Sequence, residues 1–430
     1  MLEIEAAVRR YAERNPQSRA LHELACASMP GGNTRSALYW APFPLYVTHS
    51  EGCQVRDADG HDYLDVLGEF TAGLYGHSDP VIADAIARTV AGGYSNGAPG
   101  ASEIQLSQLI CKRFPSVASV RFCNSGTEAN LYALTLARLF TGRNKLLGFS
   151  GAYHGGVFAF SGGGSPMNAP YDWTLARLND RAGTAALIER LGPDLAAVII
   201  EPMMSNGGCI PAEPAFLQML RDKCSEVGAV LIFDEIVTSR MGPGGLQRRL
   251  GITPDMTTFG KYFGAGFSSG VFGGRADIMN LLNPSVPGAL MHSGTFNNNV
   301  YSMTVGYAAL NNVFTPERAE ALYADGESLR SRLNDIARSI SPAVQFTGCG
   351  SIMNIHFHRG VMTCPEDLAV EPKELFRLFH LDLLEEGIYA AARGQINLSL
   401  PMQSKDFDRI ADAVKNSLGR RAQLIEALCR

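Results

Sequence analysis

The stretch from Ala229 to Phe263 constrains this chain more than any other. It begins AVLIFDEIVTSR, passes through a glycine-containing interval, and continues DMTTFGKYF. Val230 to Phe233 is a short apolar run rich in branched residues, the pattern of a buried strand. It stops on two carboxylates, Asp234 and Glu235. A second short strand, predicted over Thr257 to Phe259, stops on Gly260 and Lys261. An acid and a lysine therefore stand at two strand ends, 27 residues apart (261 minus 234). In an open α/β sheet, ligands bind beyond the carboxyl ends of the strands. A lysine delivered there and partly desolvated has a lowered pKa and becomes a nucleophile toward carbonyls. An aspartate delivered there can hold a protonated ring nitrogen. This pair is what pyridoxal phosphate requires: a Schiff-base lysine and an acidic partner for its pyridinium. Taken singly, each residue is more simply an ordinary polar group at a sheet edge. The rest of the chain has to decide.

The surrounding sequence alternates strand, turn and helix. Predicted strands Ser119–Cys123, Lys145–Phe149, Ala196–Ile200, Val230–Phe233, Thr257–Phe259 and Val271–Phe272 are separated by helices over 128–141, 184–191 and 214–227. Helices over 82–91 and 103–114 precede them, and one over 300–313 follows. Such alternation predicts an α/β domain, a mainly parallel sheet with helices on both faces. Before it, residues 1–28 read as helix broken at Asn15-Pro16, with strands expected over 46–55 and 63–66 and a hairpin turn over Asp57–Asp62. From about residue 316 the rhythm changes to helix, strands at 343–347 and 353–357, a helix near 372–385, a strand at 395–398 and a final helix. We therefore divide the chain into an N-terminal segment (1–60), a large domain (61–315) and a smaller α+β domain (316–430) that packs with the N-terminal segment.

Bulk properties exclude several classes. Of 430 residues, 46% are hydrophobic and 18% charged, which suits a large globular core. The net charge of −5 and the lack of a basic stripe argue against nucleic acid as a partner. Nine cysteines without CxxC or other metal spacing point to reduced thiols in a cytoplasmic protein and to no metal site. The N-terminus, MLEIEAAVRRYAERN, is amphipathic and acid-bearing, unlike a signal peptide, and no apolar run reaches the length of a membrane span.

Other strand ends carry further chemistry. NSGTEA (Asn124 to Ala129) sits at a strand-to-helix junction, where the amides and hydroxyls of Ser125, Gly126 and Thr127 can receive a phosphate. The same residues also read as a capping box, with Ser125 as N-cap and Glu128 three residues on; both can hold at once. In SGAYHGG (Ser150 to Gly156), Tyr153 between small residues can lay its ring against an aromatic cofactor, while His154 is more often a satisfied loop histidine than a catalyst. Glu201 ends a third strand in EPM, with Asn206 following, and Thr295 in GTFNNN offers a hydroxyl before a helix. GxGxxG, GxxxxGK[ST] and HExxH are absent. GFSSG (Gly266 to Gly270) matches a serine-nucleophile elbow at Ser268, but a strand follows it where that elbow needs a helix.

NSGTEA, AYHG, EPM with Asn206, FDEI, FGK and GTF occur in this order over residues 124–296. Together they resemble the class III, fold-type I pyridoxal-phosphate aminotransferases, in the branch that contains glutamate-1-semialdehyde aminomutase. The resemblance spans essentially the whole chain. It implies a large domain with a mainly parallel seven-stranded sheet sandwiched by helices. It implies that Lys261 is the Schiff-base lysine and Asp234 the pyridinium partner. Ile236 and Tyr153 would face the two sides of the ring, and Ser125, Gly126 and Thr127 would form the phosphate cup. His154, Glu201 and Asn206 would support the cofactor. Thr295 would reach the phosphate of the neighbouring subunit, which implies a homodimer with shared active sites.

Two stretches, PGGNTRSALYWAPFP and YAAARGQINLSLP, depart from the aminomutases and resemble the β-amino-acid transaminases of the same branch. They carry Arg35, Tyr39 and Arg393, expected as substrate-binding residues, with small neighbours leaving each guanidinium free to swing toward a carboxylate. The expected activity is ping-pong transfer of an amino group from a β-amino acid or related amine to pyruvate or 2-oxoglutarate. An aminomutase, a broad ω-amine transaminase and a serine hydrolase using Ser268 are the alternatives.

Overall fold

The computed structural model describes residues 2–429; Met1 and Arg430, at the outer ends of the first and last predicted segments, lie outside them. The six strands predicted around the acid and the lysine join one seven-stranded sheet. Its order is Ser119–Cys123, Gly270–Gly274, Met256–Gly260, Val230–Asp234, Leu195–Ile200, Lys145–Phe149 and Asp172–Ala176. Gly270–Gly274 runs antiparallel to both neighbours, and the remaining pairs are parallel. Central strands such as Leu195–Ile200 and Val230–Asp234 are buried along their whole length, which is why they read as unbroken apolar runs. The edge strand Asp172–Ala176 was not anticipated. It is mostly half-buried, so DWTLA carries no comparable apolar signal.

Parallel pairing sets Asp234 opposite Thr258 on the adjacent strand Met256–Gly260. Asp234 and Lys261 therefore emerge at the carboxyl ends of neighbouring strands. The helix Gly126–Thr141 buries Ala129, Ala133, Leu134, Leu136 and Ala137 and packs on the strands that carry them. Its apolar face thus fixes where its N-terminal turn meets those strand ends.

The flanking segments interlock. The predicted break at Asn15-Pro16 separates the helices Leu2–Arg14 and Pro16–Cys26. The strand expected over 46–55 is instead two, Val47–Glu51 and Gln54–Asp57, because Glu51-Gly52-Cys53-Gln54 folds the chain back into a hairpin. The turn at Asp57–Asp62 forms as expected, and its Asp57 Oδ1 accepts the amides of Asp59 and His61. The next strand, Asp62–Asp65, pairs in parallel with Ile388–Tyr389, so N- and C-terminal segments share a sheet. A separate antiparallel sheet holds Val344–Cys349, Ile352–Phe357 and Gln395–Asn397. The helix predicted over 300–313 is α-helical from Val300 to Ala308 and widens to a π-turn over Ala309–Val313.

One side chain ties these layers together next to the strand ends. Arg240 is 1% exposed. Its guanidinium donates to the Thr71 carbonyl at 3.1 Å, to Ser351 Oγ at 3.0 Å and to the Leu398 carbonyl. Arg240→Ala should leave these buried acceptors unpaired and open a cavity, a loss of about 3 kcal/mol. A urea-unfolding midpoint unchanged from the native chain would contradict that assignment.

Candidate active site

Asp234 is 3% exposed and fully engaged. Its Oδ2 accepts Asn130 Nδ2–H at 2.8 Å and lies 2.8 Å from His154 Nδ1, which donates when that nitrogen carries the proton. Oδ1 accepts the Ile236 amide at 3.1 Å. These donors offset the desolvation of a buried carboxylate. Asn130 is itself held, accepting from Thr258 Oγ1 at 2.7 Å and donating to the His154 carbonyl at 2.9 Å. Sequence reasoning passed over Asn130. Its signal was a lone polar residue among the small apolar residues of the helix's buried face.

Lys261 follows directly on its strand with φ +55°, left-handed backbone that a side-chain-bearing residue seldom adopts. Its Nζ donates to the Phe70 carbonyl at 2.8 Å and to Thr71 Oγ1 at 2.9 Å. Burial, and then the nearby Arg393 guanidinium, push its pKa down to about 8. Glu201, also buried, is pushed up to about 7, chiefly by desolvation. Its two oxygens accept the amides of Tyr153, at 3.0 Å, and Ser205, at 3.3 Å. Tyr153 stays 45% exposed.

The helix start forms the expected Ser125 cap. Ser125 Oγ accepts the Glu128 amide at 3.2 Å, but Glu128 Oε2 accepts the amide of Asn124, at 3.0 Å, rather than that of Ser125, so the reciprocal half of the capping box does not form. By helix geometry, the amides of Gly126 and Thr127 have no partner within the helix. Two glycines let the surrounding segments close in. A Cβ on Gly126 would lie 2.5 Å from Ile236 Cδ1, and one on Gly155, at φ +120°, would lie 2.3 Å from Thr127 Oγ1. Asn124, Ser125, Gly126 and Lys261 line one cavity of about 700 Å³.

Asn206 is exposed and lies on a second cavity of about 720 Å³, together with Ser150 and Arg393. Arg393 is held rather than free, its Nε donating to Gln395 Oε1 at 3.0 Å. Arg35 has a partner too, though an exposed one, its Nη1 lying 2.8 Å from Glu69 Oε1. Both guanidiniums lie over the Phe70 ring, at 5.4 Å for Arg35 and 5.6 Å for Arg393. Glu69, Phe70 and Thr71 were missed because nothing in GEFT announces a turn. Tyr39 is exposed, its ring 6.2 Å from that of His22, and outside the residues lining either cavity. Thr295 is exposed on the chain's surface. Ser268 precedes the strand Gly270–Gly274, so no nucleophile elbow forms. Among the described residues no helix is long and apolar enough to cross a membrane.

These residues fit pyridoxal phosphate. A depressed amine, a donor-held carboxylate, and a helix N-terminus whose glycine permits close approach converge at one set of strand ends. The architecture is that of the fold-type I pyridoxal-phosphate transferases. Residues 37–413 match the family model "Aminotransferase class-III", and the chain belongs to that family of transaminases. It is 49% identical to the β-phenylalanine transaminase of Variovorax paradoxus, over 97% of this chain and 96% of the relative. It is 36% identical to the glutamate-1-semialdehyde 2,1-aminomutase of Sorangium cellulosum, over 88% and 90%. The crystal structure of a β-phenylalanine aminotransferase from Variovorax paradoxus superposes with a TM-score of 0.97 at 48% identity, covering 98% of each chain. An ω-transaminase structure from Sphaerobacter thermophilus gives 0.88 at 35% identity, over 94% of this chain and 98% of that one.

The lowered Lys261 pKa has a direct readout. In chain stripped of cofactor, the rate at which trinitrobenzenesulfonate labels Lys261, followed by peptide mass mapping, should titrate with a midpoint near 8. Arg393→Met removes a neighbouring cation, so the ammonium form is less disfavoured, the midpoint rises and labelling at pH 8 slows. A midpoint at the ordinary lysine value in the native chain would contradict the site's desolvation.

Proposed function

We propose that this transaminase takes the amino group from a β-amino acid or related amine and delivers it to pyruvate or 2-oxoglutarate. The observation that carries the reading is the pair of guanidiniums, Arg35 and Arg393, set on one aromatic ring beside the Lys261 amine. The similarity to β-phenylalanine transaminase supports the donor class.

Pyridoxal phosphate, when bound, supplies an electron sink for the substrate carbon that loses its proton. The residues of this chain do the rest. Lys261 Nζ would hold the cofactor and, when free, would take the proton from that carbon as base and deliver it as acid to the cofactor rather than back to the same carbon. A pKa near 8 suits both duties at neutral pH. Asp234 keeps the ring nitrogen protonated, and His154 and Asn130 position Asp234. Ser125, Gly126 and Thr127 hold the phosphate, Ile236 and Tyr153 face the ring, and Glu201 and Asn206 support its rim. Arg35 holds the carboxylate of the β-amino acid, with Tyr39 beside it. Arg393 holds the distal carboxylate of the keto-acid acceptor.

We place the chain in a homodimer, in which Thr295 of the partner subunit completes the phosphate site. The exposure of Thr295 and the exposed apolar side chains of Tyr94, Ile104, Met291 and Phe296 support this. Reduced cysteines support a cytoplasmic setting. We also assign residues 1–60 and 316–430 to a small domain beside the large domain 61–315; the sheet that joins Val47–Glu51 and Gln54–Asp57 to Ile388–Tyr389 supports the pairing of the two ends, and its strand Asp62–Asp65 carries that sheet a few residues past position 60.

Lys261→Ala should abolish turnover, and borohydride reduction of the native holoenzyme should fix the cofactor on the peptide containing Lys261. Asp234→Asn should lose about 3 kcal/mol of transition-state stabilisation, roughly a hundred-fold in kcat. Cofactor fixed on another lysine, or near-normal turnover of Asp234→Asn, overturns these roles.

The substrate assignment is tested with a panel of amines and β-amino acids against both keto acids. Arg35→Ala should lose about ten-fold in kcat/KM for β-amino acids while sparing amines without a carboxylate. Arg393→Ala should impair 2-oxoglutarate more than pyruvate. Equal losses across donors in the first variant, or an unchanged acceptor preference in the second, would reject the respective role. Turnover without any keto acid would identify an aminomutase instead, a reading favoured by the similarity to the Sorangium enzyme.

A further inference from the structure

The segment Gly68–Thr71 is the most unusual backbone in the molecule. Gly68, Glu69, Phe70 and Thr71 have φ of +52°, +49°, +51° and +80°. Three of them carry side chains, one bulky and one β-branched, for which left-handed backbone is costly. The strain persists because the turn is held at several points. Asp65 Oδ1 accepts the amides of Leu67 and Gly68 at 2.9 and 3.0 Å. Asn397 Nδ2 donates to the Leu67 carbonyl at 2.7 Å, and Arg240 donates to the Thr71 carbonyl. A turn so fastened presents consecutive groups in directions that an ordinary loop would not. Phe70 O and Thr71 Oγ1 receive Lys261, the Phe70 ring lies under both Arg35 and Arg393, and the Glu69 carboxylate meets Arg35. Glu69 lines the same cavity as Lys261.

The mechanism above uses Lys261 and both arginines but gives Glu69 no part. Its contact with Arg35 is a single one, Nη1 to Oε1 at 2.8 Å, between side chains that are 46% and 58% exposed. Pairs of this kind are weak and exchange readily. A substrate carboxylate arriving at Arg35 meets a guanidinium that already has a partner. An amine without a carboxylate leaves that partner in place, so the cation is never left unpaired beside an apolar substituent.

We propose that Glu69 is a specificity-determining residue: it is the resident counter-anion of Arg35, which a substrate carboxylate displaces, and it thereby sets how strongly the site prefers carboxylate-bearing amines over carboxylate-free ones. This rests on the proposed role of Arg35 as the carboxylate reader. Removing the charge of Glu69 therefore changes two substrate classes in opposite directions, which a general disturbance of the site cannot do.

The test uses holoenzyme carrying Glu69→Gln, with Glu69→Ala as a second variant and Arg35→Ala in parallel. In both Glu69 variants, KM for an aromatic β-amino acid should fall about two- to five-fold. The kcat/KM for 1-phenylethylamine, which has no carboxylate, should drop by a similar factor. Equilibrium binding of 3-phenylpropionate, a carboxylate without the reacting amine, should tighten about two- to five-fold in the Glu69 variants and weaken at least about ten-fold in Arg35→Ala. If Arg35→Ala binds 3-phenylpropionate as the native enzyme does, Arg35 is not the carboxylate reader and the role of Glu69 falls with it. If Arg35→Ala loses the anion while the Glu69 variants bind it no tighter, or lose both substrate classes together, the reading of Arg35 stands and that of Glu69 is overturned.

Discussion

A carboxylate taken out of water at the end of a central strand has to be met by donors, and that requirement organises this active site. Asp234 is almost fully buried, and its three donors come from three places: Asn130 on the helix Gly126–Thr141, His154 in the loop after Lys145–Phe149, and the backbone of Ile236. Each can reach Asp234 only if the helix lies flat on the sheet and the loop folds back over its strand end. Satisfying one carboxylate therefore fixes the helix N-terminus at Ser125, Gly126 and Thr127 and the loop that carries Tyr153. The glycines at 126 and 155 remove the side chains that would hold these segments apart.

The lysine side of the site obeys a different constraint. Lys261 emerges from the strand next to Asp234, and its amine is received by a carbonyl and a hydroxyl from residues nearly two hundred positions earlier. The turn that supplies them is strained, and the strain is balanced by a buried arginine that also reaches Ser351 and Leu398. Segments remote in sequence thus meet at Arg240. The same turn brings the Phe70 ring under two cations, so the environment of the lysine and that of Arg35 and Arg393 are mechanically connected.

Much of the catalytic side was legible from residues alone. The apolar run ending on Asp234 and the shorter one ending on Lys261 are strands, and parallel pairing puts their carboxyl ends side by side. The Ser125 cap forms as its spacing demands, while Glu128 turns to the Asn124 amide instead of closing a capping box. These features are local: the period of the side chains and the chemistry of a helix start decide them. The hairpin within 46–57 and the edge strand Asp172–Ala176 were misjudged or missed for a related reason. A short strand that is exposed or half-buried leaves little apolar pattern to read.

The sequence by itself determined that a lysine and an aspartate would each stand at a strand end, with a helix start suited to a phosphate following another, because side-chain periodicity requires it; that the two strands are neighbours was decided by the sheet order. It also named Arg35 and Arg393 as carboxylate readers and described them as free to swing. Only the tertiary structure decided what those arginines touch. Phe70, Glu69 and Asn130 reach their partners across long separations, and no local pattern encodes such pairings. The turn Gly68–Thr71 makes the point most directly: its left-handed backbone is imposed by Asp65, Asn397 and Arg240 from outside, against the intrinsic preference of the residues that adopt it.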